Sequence, residues 1–75
     1  MPVLRRLTLN DAEKEVLILL ARGLTIKQVA RERQRSNSAI RANLAMIYRI
    51  LGCPPTPTAA VVRAIRLGMI TLNEM

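Results

Sequence analysis

The chain has no histidine, phenylalanine or tryptophan, and its 75 residues include one tyrosine, Tyr48, and one cysteine, Cys53. Without histidine it lacks the side chain that most often acts as a general base near neutral pH. Cys53 has no evident base partner and reads as a small apolar loop residue. A lone cysteine leaves no disulfide framework and no multi-cysteine metal site, and it fits a reducing compartment. None of the three glycines belongs to a phosphate-cradling loop. The longest apolar run, Val16 to Ala21, is far short of the roughly 20 residues a membrane span needs. No secretion-type apolar segment follows Arg5 and Arg6, and aromatic anchors for a membrane surface are missing. The expectation is a cytoplasmic, non-catalytic protein without metal, cofactor or small-molecule ligand.

What is present is positive charge. Twelve Lys and Arg face five Asp and Glu, for a formal net charge of +7. Such a balance points to a polyanionic partner. The distribution is lopsided: Asp11, Glu13 and Glu15 stand near the start, whereas Arg33 to Asn73 carries Arg33, Arg35, Arg41, Arg49, Arg63 and Arg66 and no acid.

The core must come from Leu, Ile, Val, Ala and Met. The Ala, Leu and Met content favours helix. Punctuation divides the chain into four helices, at about 11–22, 26–33, 37–51 and 57–67, in a single domain covering 1–75. Asn10 with Glu13, and Thr25 with Gln28, have capping-box spacing. Ser36 is the third N-cap, and Thr56–Pro57 reads as N-cap followed by N1 proline. Gly23, Gly52 and Gly68 suit helix stops, and Pro54 and Pro55 forbid continuation beyond Gly52. The inward stripes are expected to be Ala12, Val16, Leu17, Leu19 and Leu20 in the first helix, then Val29 and Ala30. Ile40, Leu44, Ile47 and Leu51 follow in the third, and Val61, Ala64, Ile65 and Leu67 in the fourth. Met1 to Leu7 and Asn73 to Met75 are expected to be loose ends.

The second and third helices, joined through Arg33 to Ser36, form a helix-turn-helix pattern whose second member enters the major groove. Opposite its inward stripe lie Ser38, Arg41, Ala42, Ala45 and Arg49. Small residues permit close approach to base edges, and arginine pairs bidentately with guanine. Ser38, Arg41, Ala42 and Ala45 are therefore the candidate base contacts. Thr25, Lys27, Arg35, Ser36 and Arg49 are the candidate phosphate contacts, Thr25 and Ser36 because helix N-termini suit phosphates. Two plainer readings stay open: Arg41 and Arg49 as the solvated side of an amphipathic helix, and Lys27 and Arg31 as ordinary surface charges. Asn43, on the flank, bonds a base or phosphate or else ties down a neighbouring helix.

Several motifs carry a family resemblance. They are E-x-E-V-L at Glu13 to Leu17 and L-L-A-x-G-L-T-x-K-Q-V-A through Ala30. Ser36 and Ile40-Arg41-x-Asn43 follow, then I-Y-R-x-L-G at Ile47 to Gly52 and A-V-V-R-A-I-R-L-G-M-I at Ala60 to Ile70. In this order and spacing, Leu9 to Ile70 resembles the LuxR-type helix-turn-helix domain in its stand-alone, GerE-like form. The resemblance implies an all-α, four-helix domain, a transcription regulator that binds double-stranded DNA through its third helix. It also implies a homodimer through the fourth, at Val61, Val62, Ile65 and Met69. The chain departs from the family pattern at Arg33 and Arg35, where apolar residues are usual, and at Gln34, where glycine is common. Its Cys53 to Thr56 loop is also one residue longer, with an added proline.

The alternative is a small interaction module that pairs with a larger transcription regulator and modulates it, motivated by Arg33, Arg35 and the exposed apolar side of the last helix. A fragment of the sigma-factor type shares the helix-turn-helix, but the Ala60 to Ile70 tail argues for the LuxR-type arrangement.

Overall fold

The computed structural model describes residues 8–71; Met1 to Leu7 and Asn73 to Met75, with the loose-end expectation placed on them, lie outside the described residues. Within 8–71 the protein is all-helical, with no strand. The order is α1 (Asp11–Ala21), α2 (Ile26–Arg33), α3 (Asn37–Leu51) and α4 (Pro57–Arg66). Arg22 and Leu67, expected as the last helical residues of the first and fourth helices, instead occupy the C-caps of α1 and α4.

Each helix starts where a side chain can take over an orphan amide. At α1 the Glu13 amide donates to Asn10 Oδ1 at 2.8 Å, and the Asn10 amide donates to Glu13 Oε1 at 2.9 Å. Thr25 and Gln28 repeat this reciprocal pair at α2, at 3.1 and 2.9 Å. At α3 and α4 the cap is one-sided. Ser36 Oγ accepts from the Ala39 amide, and Thr56 Oγ1 accepts from the Ala59 amide. Alanine at the third helical position has no side chain to reach back. An N-cap of this kind contributes about 1 kcal/mol.

The helix stops share one geometry. After α1 the Leu24 amide reaches the Leu19 carbonyl, around Gly23 at φ 99°. After α2 the Arg35 amide reaches the Ala30 carbonyl at 2.8 Å, and the Gln34 amide reaches Arg31 at 3.2 Å. The left-handed residue there is not glycine but Gln34, at φ 57° and ψ 47°. A side chain in that region costs about 1–2 kcal/mol, so the two backbone hydrogen bonds hold the turn against local strain. Gln34 is the described non-glycine residue with positive φ.

α1 packs chiefly on α4, and α2 chiefly on α3. The inward line of α3 (Ile40, Leu44, Ile47 and Leu51) is buried, as are Val29 and Ala30 of α2. Each large side chain taken fully from water contributes about 1.5–3 kcal/mol. In α1 four consecutive residues, Val16 to Leu19, are buried. At about 100° per residue they point in nearly every direction around one turn, so neighbours enclose this helix.

Two inward assignments are corrected. Ala12 is exposed; Glu13 is buried instead, at 5% exposure, with its carboxylate folded back to accept from the Asn10 amide. In α4, Leu67 is 54% exposed, and Ala60 and Ala64 are the buried contacts. Leu67 sits at the cap, where the chain turns away and brings Ile70 into the core instead.

Candidate nucleic-acid interface

α3 has 15 residues, about 22 Å of helix. Its buried line fixes its rotation about its own axis. Ser38, Arg41, Ala42, Ala45 and Arg49 are all exposed, and no other described residue covers them. Stepping about 100° per residue from the core direction, Ala42 and Arg49 stand opposite the core, with Ser38 and Ala45 beside them. Arg41 lies about a quarter-turn from the core, on one flank. Asn43, half-buried, lies on the other.

The residue missed in the sequence is Met46. It is 40% exposed and lies on the outward face, four residues after Ala42 and three before Arg49. Helical spacing is consistent with that position, but an apolar side chain also fits a core reading, and its exposure is what places it outward.

The candidate phosphate contacts fall into two groups. Arg35 and Ser36, both exposed, mark the start of α3. The first turn of α3 has no acid, and the one-sided cap leaves the Ser36 amide without a reciprocal side-chain acceptor. Arg33 at the end of α2 is half-buried, so the side chain at this unusual position keeps contact with solvent. Thr25 and Lys27 are also exposed, but they sit at the opposite end of α2, about 12 Å away along an eight-residue helix. Thr25 Oγ1 already accepts from Gln28, which leaves its hydroxyl proton to donate.

From Arg33 to Thr71 the described residues contain no carboxylate side chain, so no acid along α3 offsets Arg41 or Arg49. Tyr48, on a flank of α3, is half-buried. Burial pushes its phenol up from the usual value near 10, and the nearby Cys53 thiol pushes in the same direction.

α4 shows a different outer surface. Val62 is 43% exposed, whereas Val61, Ile65 and Met69 are half-buried. Beside it an open depression of about 410 Å³ is lined by Leu20, Leu24, Ile26, Pro57, Val61 and Val62 among others. Among the described residues, no cluster of three or more His, Cys, Asp or Glu is placed to hold a metal ion, and no helix is long and apolar enough to cross a membrane.

Comparison with known proteins finds no matching family model, no matching curated protein and no matching solved structure.

Proposed function

We propose that this protein is a helix-turn-helix transcription regulator that binds double-stranded DNA, with α3 lying in the major groove. The observation that carries it is the outer face of α3: exposed, bearing Arg41 and Arg49 over small side chains, and uncompensated by any acid along the helix. Ser38, Arg41, Ala42 and Ala45 face the base edges. Arg49, Arg35, Ser36, Thr25 and Lys27 hold phosphates and set the register. The three-residue joint between α2 and α3, Gln34 to Ser36, has the length usual in this motif, and the motif resemblance to LuxR-type regulators supports the same function. The role is binding rather than catalysis.

A two-fold operator requires two copies, and we place their contact on α4, at Val61, Val62, Ile65 and Met69. The exposed Val62 and the apolar depression beside it support that placement. They also favour the second reading, in which the same side of α4 docks a larger regulator.

The test is a gel-shift titration of purified wild-type protein and Arg41→Ala on duplex DNA across a salt series. Affinity should fall with a log–log slope of about −0.9 per neutralised phosphate. Arg41→Ala should bind roughly 5- to 150-fold more weakly, corresponding to the loss of about 1–3 kcal/mol for a bidentate base contact. If affinity and sequence preference both stay at wild-type values, α3 is not the reading helix.

A further inference from the structure

We propose that Met46 makes α3 a reader of thymine methyl groups, and that the preferred duplex is recognised partly through apolar contact with the 5-methyl of thymine. This rests on the DNA-binding function proposed above and adds a chemical basis for its sequence choice.

An exposed methionine in the middle of a charged helix face has a cost, since its apolar surface stays in water. Met46 is 40% exposed and is one of three large apolar side chains exposed in the described residues, the others, Val62 and Leu67, lying on or beside α4. On α3 it lies on the face shared by Ala42, Ala45 and Arg49. The occupant of that face is set by charge: Arg49 lies beside Met46, Arg41 stands across the same outer surface on the other flank, and no acid follows before Thr71, which suits a polyanion.

The chemistry of the face then limits what it can read. Guanine is available to Arg41. Opposite the core the face carries no Asn, Gln, Asp or Glu; the exposed amide of α3 is Asn37 in its first turn, and Asn43 is turned to the half-buried flank. The acid pairing with cytosine is thus missing, and the amide pairing with adenine is confined to the start of the helix. What Ala42, Ala45 and Met46 offer is apolar contact, and in the major groove the apolar feature is the thymine methyl. The thioether is long and flexible enough to follow the groove floor, while the two alanines keep the helix close.

The experiment selects a preferred duplex from a random pool with the wild-type protein. It then compares that duplex with one in which deoxyuridine replaces thymidine, which removes the methyl and leaves every hydrogen-bonding edge. Each contacted methyl should contribute about fourfold in affinity, from about 0.8 kcal/mol per buried carbon. Met46→Ala, with folding checked by circular dichroism, should bind the two duplexes nearly equally. Equal wild-type affinity for both duplexes, a selected site without thymine, or undiminished discrimination by Met46→Ala overturns the assignment while leaving DNA binding intact. Failure to bind any duplex at low salt overturns DNA binding itself, and the methyl contact with it.

Discussion

The outer faces of α3 and α4 are built from the same ingredients in different sizes. Each sets apolar side chains beside two arginines. On α3, Ala42, Ala45 and Met46 share the outer surface with Arg41 and Arg49; on α4, Val62 and Ile65 lie near Arg63 and Arg66. Charge therefore does not separate the two. The width of the apolar groups does. Two alanines keep the α3 backbone close to whatever it meets, and one flexible methionine adds reach. Branched Val and Ile stand taller, sit beside an apolar depression, and offer area to another protein surface. The difference is what the proposed roles require, a polyanion against one helix and a side-chain surface against the other.

The comparison breaks most severely if carboxylates are exchanged into the two faces. Ala45→Glu sets a negative charge against the DNA and should weaken duplex binding on the order of 100-fold, because facing like charges cost several kcal/mol. It should leave sedimentation behaviour unchanged. Val62→Glu should do the reverse: self-association weakened by about tenfold or more, some 1.4 kcal/mol, read as a larger monomer fraction in sedimentation. Binding of the single chain to a half-site should be retained. If both substitutions act on both assays alike, the two faces are not separate surfaces.

A subtler change sharpens the contrast by altering stability without touching either face. Gln34→Gly removes the left-handed strain in the joint between α2 and α3. It should stabilise the fold by about 1 kcal/mol, seen as a rise in Tm of about 4–8 °C for a domain of this size. DNA affinity and self-association of the folded protein should not move. A fall in Tm would show that the Gln34 side chain holds the joint rather than straining it.

The smallest effect comes from the flank of α3. Tyr48 keeps its proton to higher pH in the folded chain than in the unfolded one. Above about pH 10 the unfolded chain releases that proton first, so stability falls as pH rises through the folded value and is unaffected by this group well below 10. Denaturant midpoints measured across that range should decline less in Tyr48→Phe than in the wild type.

The ends of the helices were legible in the sequence because their chemistry is local. Asn10 with Glu13 and Thr25 with Gln28 form the reciprocal caps that their spacing predicts. Thr56 and Pro57 open α4, and Gly23, Gly52 and Gly68 follow α1, α3 and α4 with positive φ. The α3 stripe was legible because that helix has one wet and one dry side. α1 was less so: enclosure of Val16 to Leu19 erases the period, and Ile18 is buried where no stripe placed it. Glu13 was recognised as a cap, but its burial follows from tertiary packing around that cap. The left-handed state of Gln34 had no signal in the residue itself, since glutamine has no preference for it; the hint was that the LuxR-type pattern commonly has glycine at that position. At the candidate interface, the arginines and small residues were visible in the spacing. Met46 was not, because an apolar side chain reads as core until a neighbouring helix is seen to be absent.

The position of Tyr48 has a practical consequence. With no tryptophan or phenylalanine in the chain, all near-ultraviolet absorption and emission from aromatic side chains originates on α3. The protein thus carries a native optical reporter on the helix proposed to meet DNA. Its intensity and anisotropy follow that helix through unfolding and complex formation without a label.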